Sequence, residues 1–205
     1  MSHKLHRQLG QTVVLPSVNR WRPLPRWYVA LLGLEGAQRL REMAVSNRHE
    51  RELAGPTAAG GRYPLMVALH IALFCLPPLE VIAWRRRPRL PLLWVAGVGA
   101  ASTLRWWSIR SLGSAWNARA VVPTDLRPVT SGPYRWVRHP NYVAVALEFL
   151  CLPLAAGAWL SAIGLSLVNA ALLADRIRAE ERLLRRIPGY AEAFAGRARF
   201  LPGLF

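Results

Sequence analysis

A chain of 205 residues has room for one ordinary domain and little more. Hydrophobic residues make up 53% and charged residues only 19%, with a mean hydropathy of +0.17, which excludes a typical soluble domain and points to a membrane protein with polar ends. The net charge is +16, but the basic residues flank apolar runs and form no separate basic domain. The partners expected are therefore a bilayer with anionic headgroups and acidic ligands, not nucleic acid.

In chain order, the opening stretch MSHKLHRQLGQTVVLPSVNRWRP lacks a continuous apolar core, so no cleaved signal peptide is expected. Five later segments are candidates to cross a bilayer, each crossing needing roughly 20 mostly apolar residues. The first, Trp27 to Val45, is the weakest, because Glu35, Arg39, Arg41 and Glu42 fall in its second half; a tilted span with a protruding charged half is expected. The polar stretch Ser46 to Glu52 follows, either a lid over the site or a solvated linker. Tyr63 to Trp84 is a clear span with Pro77 and Pro78 inside it, where a kink is expected. The third, Leu90 to Leu112, carries the pair Trp106-Trp107, a signal of the membrane interface. Tyr142 to Gly157 and Ala158 to Ala174 are parted only by a Gly-Ala-Trp turn and read as a tight helical hairpin.

The fifth helix should continue outside the bilayer through DRIRAEERLLRR, which has no breaker before Pro188. A short helix near Tyr190 to Arg197 and the tail RFLPGLF should lie on the membrane surface. The fold class is thus an all-α integral membrane protein of about five spans, a single domain over residues 1–205 with its pocket in the C-terminal part. A hairpin returns the chain to its starting side, so the 113–141 connection and the charged end of helix five share a side. Both are arginine-rich, which places that side in the cytoplasm, at the cell inner membrane. The loop Arg85 to Arg89 then falls on the opposite side, an exception to the positive-inside rule. Cys75 and Cys151 lie in apolar runs with no metal or disulfide spacing, so no metal site is expected.

Two clusters carry chemistry. In SGPYRWVRHPNY, residues 131–142, Gly132 and Pro133 set a turn and Pro140 suits the first turn of helix four. Asn141 and Tyr142 stand at the helix entrance, where free N–H groups and the dipole favour an anion, as do Arg135, Arg138 and His139. Tyr134, Trp136 and Tyr142 offer faces for a flat ring or a cation. The same residues would also serve as a plain interfacial anchor. On helix five, Asn169, Leu173, Arg176 and Glu180 are spaced four, three and four, so they line one face, with Glu181 beside it. Alone that pattern reads equally as a solvated ion pair; the hairpin is what brings it to the side of the first cluster. Glu148 and His70 are costly in hydrocarbon and should face protein or a cavity, Glu148 as the pocket floor or in a buried hydrogen bond, His70 as a core histidine.

The ordered combination PVTSGPYRWVRHPNY, an apolar hairpin, DRIRAEERLL, GYAEAF and RFLP resembles the catalytic region of the isoprenylcysteine carboxyl methyltransferase family, over about residues 100 to 205. The resemblance implies a methyltransferase region at 100–205, behind N-terminal spans and a lid at 1–99, using S-adenosylmethionine as methyl donor. Carried over, the cofactor contacts fall on Leu126 to Val129, Tyr134, His139, Pro140, Asn141, Tyr142 and Glu180, although Pro128 stands where the family often has leucine. Arg176 corresponds to the arginine between cofactor and acceptor. Apart from the resemblance, a phenolic acceptor, with an ordinary pKa near 10, would need a proton acceptor, for which Glu181 and Glu148 are the candidates. The acceptor implied is a lipophilic molecule: a prenylcysteine-like carboxylate, or a long-chain phenolic or pyrone lipid. Two alternatives remain: sterol-type reductases, which share the R-H-P-x-Y segment and use NADPH but have more spans, and a non-catalytic membrane protein. Neither acceptor identity nor oligomeric state is legible.

Overall fold

The computed structural model describes residues 23–58, 60–123 and 126–200. The five expected segments are helices: α1 Arg26–Glu52, α2 Tyr63–Trp84, α3 Pro91–Leu112, α4 Pro140–Ala156 and α5 Trp159–Leu184, followed by a short α6, Tyr190–Ala193. Among the described residues there is no named strand, only two isolated bridges, Thr57 with Val121 and Val137 with Ala198. The residues before 23 and after 200, including the end of the RFLPGLF tail, lie outside the described ones.

Proline marks the first turn of α2, α3 and α4, where its missing N–H has no intrahelical partner to lose. Inside α2 the helix runs unbroken through Pro77 and Pro78. α4 stops at Gly157, whose φ of +86° is the left-handed conformation that glycine adopts without strain, and whose Cα faces the Arg87 carbonyl closely enough to exclude a side chain. Glu80 on α2 caps α5. It accepts from the N–H groups of Leu160 and Ser161 at 3.1 and 2.6 Å and from the Ser161 hydroxyl at 2.7 Å. A carboxylate there satisfies orphan donors and meets the positive end of the dipole. α5 continues through the charged extension as expected.

Two expectations change. α1 does not yield to a linker at Ser46 but stays helical to Glu52, since no glycine or proline interrupts residues 37–52 and Ser46 is buried against the 115–122 loop. Its charged half does not simply protrude, because Glu35 and Glu42 are 3% and 9% exposed and turn inward. α6 ends at Ala193, short of Arg197, because Gly196 at φ +71° turns the chain back to lie beside Val137.

Among the described residues two helices are long and apolar enough to cross a membrane, Gly60–Trp84 and Trp159–Leu184; α4 is apolar but shorter, at 17 residues. The packing is inverted relative to a soluble bundle. Leu34, Leu40, Ile71, Leu79, Leu92 and Leu167 are exposed, while Glu35, Glu42, Arg105, Glu148 and Asn169 are buried. Apolar surface of this extent on the outside of helices fits lipid, not water. The core joins Tyr28, Leu73, Val98, Phe149, Leu152 and Leu165 across α1 to α5. α3 and α4 approach so closely that a Cβ on Gly97 would lie 2.6 Å from Cys151 Sγ, which accounts for the buried thiol.

Candidate functional site

The site sits at the end of the bundle opposite the α4–α5 turn. Gly132, at φ +57°, opens the turn Gly132–Arg135 with its Cα against Ser111 and Trp107. Trp136 meets Trp107 edge to face at 5.5 Å and carries the Arg135 guanidinium on its ring at 3.7 Å, so these two residues act as an anchor. The turn delivers Tyr134 inward, buried, and places His139 immediately ahead of α4. The N–H groups of Tyr142 and Val143 both donate to the His139 carbonyl, at 3.1 and 3.3 Å. The helix entrance therefore offers fewer free donors than its sequence suggests.

A strap of C-terminal chain holds this entrance. Arg138 and His139 donate their backbone N–H groups to the carbonyls of Ala198 and Arg199 at 3.0 and 3.1 Å. Arg197 returns a bond to the Tyr134 carbonyl at 2.7 Å. Arg199 grips Glu181 with two bonds of 3.0 Å, and the Oε1 that accepts from Arg199 Nε also lies 3.3 Å from His139 Nε2. Glu181 is thus committed to orienting His139, which stacks on Tyr142 at 5.4 Å.

The helix-five stripe faces the same place. Arg176 donates through Nε to the Tyr142 hydroxyl at 2.9 Å, through Nη1 to Met66 sulfur at 3.3 Å and through Nη2 to the Ala118 carbonyl. The Tyr142 hydroxyl in turn donates to Glu180. A cavity of about 110 Å³ is lined by Leu126, Val129, Tyr134, His139, Asn141, Tyr142, Arg176 and Glu180, together with Trp116, Asn117, Tyr190 and Phe194. The structure thus brings together every residue expected at the cofactor except Pro140, which is buried in the first turn of α4 and only sets its direction.

Tyr134 and Tyr190 wall this cavity as neutral phenols. Burial and the Glu180 carboxylate push the Tyr134 hydroxyl up. Burial, then Glu180 and Glu181, push Tyr190 up to about 12. Tyr190 and Phe194 enter the sequence reading only within GYAEAF, as part of the family resemblance, and not as site residues. Trp116 and Asn117 left no signal, because the 115–122 loop has no regular pattern. Asn117 shapes it by bonding the Val121 N–H and carbonyl at 2.7 and 3.0 Å.

A second cavity, about 400 Å³, lies between α1, α2, α4 and α5, with Met43, Val67, Ile71, Phe74 and Val145 on its walls. Leu40 and Ile71 line it while remaining 70% and 59% exposed on the outer surface, so it opens sideways between α1 and α2. Trp116, Asn117, Asn141, Tyr142 and Arg176 line both cavities and form the partition. Asn141 Oδ1 is buried there without a hydrogen-bond partner. His70, which bonds the Met66 carbonyl at 2.8 Å and meets Phe149 edge-on, also lines the larger cavity. Glu148 does not join the partition: both its oxygens accept from Arg39 of α1.

Comparison with known proteins places this arrangement. The family model described as "Isoprenylcysteine carboxyl methyltransferase (ICMT) family" matches residues 94–186. A Bacillus subtilis (strain 168) protein, named "Uncharacterized protein YpbQ", is 35% identical over 159 residues, covering 76% of this chain and 95% of the relative. The matched segment carries most of α3, the turn that delivers Tyr134, and the α4–α5 hairpin, which together hold Tyr142 and Arg176 at the partition and Glu180 in the smaller cavity. With a relative matched along nearly its whole length as well, the chain belongs to the isoprenylcysteine carboxyl methyltransferase family.

Proposed function

We propose that the protein is an integral membrane O-methyltransferase of about five spans, with S-adenosylmethionine in the smaller cavity and a lipophilic acceptor in the larger. The observation that carries this reading is the shared wall: two cavities of different chemistry, polar and aromatic on one side, apolar and open to lipid on the other, separated by Tyr142 and Arg176. Membership in the family points to a membrane methyltransferase, and the two apolar helices agree.

The residues suit an amphoteric cofactor. Glu180 accepts from amino or ribose donors, His139 and Arg138 meet a carboxylate, and Tyr134, Tyr190 and Phe194 supply faces for a ring. The unpartnered Asn141 Oδ1 supplies one further acceptor at the partition. The enclosed volume, about 110 Å³, is below the roughly 300 Å³ of an ordinary ligand pocket, because Tyr142, Glu180 and Arg176 bond to one another across it. Binding therefore requires these side chains to exchange partners.

S-adenosylmethionine, when bound, supplies an electrophilic methyl group on a sulfonium. The protein's task is alignment in a dry site, which is worth a large part of the rate. Arg176 orients the acceptor oxygen and favours its anion, whether carboxylate or phenolate. Glu181, through His139, and Glu148, through Arg39, act as positioning residues in this reading, because their oxygens are already engaged. The acceptor enters sideways between α1 and α2, and the site faces the cytoplasm at the inner membrane. The acceptor is a prenylcysteine-like carboxylate or a long-chain phenolic or pyrone lipid.

Membranes incubated with methyl-labelled cofactor should yield a labelled lipid identifiable by mass spectrometry. Calorimetry on the purified protein in detergent should detect S-adenosylmethionine binding and none with NADPH; the opposite preference would replace this reading with a reductase.

A further inference from the structure

The larger cavity is not apolar throughout. At the level of Glu148, six residues and about 9 Å along α4 from Tyr142, Arg39, Glu42 and Arg105 come to its wall. Arg39 bridges Glu42 and Glu148. Arg105 on α3 donates through Nε to Glu42 Oε2 at 2.7 Å, and Gln38 donates to Glu42 Oε1 at 3.0 Å. Ser102 holds Glu35 beside them at 2.8 Å. A buried ion cluster is a poor source of stability, since apolar residues of the same volume do as well or better. Ionisable groups inside membrane helices instead mark a ligand or a path.

One donor is left over. Arg105 is only 9% exposed, and its Nη1 is buried with no acceptor among the described residues. Both oxygens of Glu42 are taken, so that carboxylate has no free oxygen to offer. A hydrocarbon chain packed here would leave that N–H unmet; an oxygen on the ligand would meet it.

We propose that Arg105 binds a second oxygen of the acceptor, one that is not methylated, so that the acceptor head bears at least two oxygens. The reacting oxygen faces Arg176 and Tyr142 at the partition, the other faces Arg105, and the hydrocarbon tail leaves between α1 and α2. Arg39 and Glu42 are positioning residues that hold the Arg105 fork. This inference rests on the methyltransferase reading for the identity of the reacting oxygen, but the binding it predicts is independent of turnover.

The test is calorimetry in detergent with two probes that differ by one hydroxyl, 3-pentadecylphenol and 5-pentadecylresorcinol. The wild-type protein should bind the resorcinol about tenfold more tightly, the effect of one charge-assisted hydrogen bond. Arg105→Met should erase the difference while leaving the phenol's affinity within about twofold. Arg105→Lys keeps a charge opposite Glu42 but loses the planar fork that reaches Glu42 with Nε and a second acceptor with Nη1, so it should also narrow the difference and serves if the methionine variant does not fold. Equal losses for both probes, or undiminished discrimination in the lysine variant, overturn the proposal. Labelled methyl transfer to the same probes is scored separately: no transfer with discrimination intact removes the reaction and leaves the subsite standing.

Discussion

The Tyr142 hydroxyl joins the two halves of the site, accepting from Arg176 and donating to Glu180. The three side chains should therefore fail in different ways. Glu180→Ala removes an anion that faces only the smaller cavity, and S-adenosylmethionine affinity should fall about 10- to 100-fold by calorimetry, the range for a lost charged hydrogen bond. Arg176→Ala removes the group proposed to orient the acceptor; it should lower turnover by at least tenfold in a labelled-methyl assay while cofactor affinity stays within a few-fold. The tyrosine walls carry a pH signature. The folded pKa of Tyr190, about 12, is above the ordinary value near 10, so the neutral phenol stabilises the fold below pH 10 and that contribution is lost as pH rises toward 12. Thermal stability of Tyr190→Phe, measured from pH 9 to 12, should decline less than that of the wild type.

At the scale of elements, the two ends of the bundle have separate jobs, and one substitution at each tells them apart. Glu80 caps α5 at the end away from the site. Glu80→Ala leaves two N–H groups and a hydroxyl without their partner, which should cost about 1–3 kcal/mol and lower the melting temperature in detergent. Cofactor affinity, measured well below that temperature, should not change. The long α1 works at the other end. Ser46 accepts from the Ala118 N–H at 2.8 Å, His49 donates to the Trp116 carbonyl at 2.6 Å, and the Ala118 carbonyl receives Arg176. Ser46→Ala should loosen the loop that steadies Arg176, lowering kcat several-fold with little change in the melting temperature; a variant with wild-type kcat would show that the loop holds without α1. The helices themselves were legible, because apolar runs, first-turn prolines and the Gly157 stop are local signals. The role of α1 was not, because a charged helical face reads the same whether it meets water or buried partners 60 to 110 residues away, as Glu42 meets Arg105 and Arg39 meets Glu148. The strap was hidden for a similar reason: backbone bonds from Arg138 and His139 to Ala198 and Arg199 leave no trace in side-chain pattern. Most of the wall of the smaller cavity, by contrast, was readable, since Tyr134, His139 and Tyr142 share one stiff segment and Glu180 keeps helical step with Arg176.

The whole molecule must also choose an orientation, and its arginines argue against each other. Four of them, Arg85, Arg86, Arg87 and Arg89, crowd the short α2–α3 loop, which packs on the α4–α5 turn through Gly157 against Arg87 and Arg86 over Trp159 at 5.1 Å. That loop is therefore at the end opposite the site. At the site end, residues 113–141 hold Arg119, Arg127, Arg135 and Arg138, and residues 176–199 hold seven more: Arg176, Arg178, Arg182, Arg185, Arg186, Arg197 and Arg199. Eleven against four favours the site end as cytoplasmic, since arginines flanking the spans set orientation. Part of the opposing charge is also softened, because Arg86 is spread over the faces of Trp84 and Trp159 at the interface. The expectation is direct. In a background with Cys75 and Cys151 replaced by alanine, a cysteine introduced at Arg182 should react with a membrane-impermeant maleimide only after the cytoplasmic side is opened. A cysteine at Arg87 should react in intact spheroplasts. Labelling of both from one side would mean that an odd number of the helices fails to cross between them, and the lateral entry of acceptor between α1 and α2 would have to be redrawn.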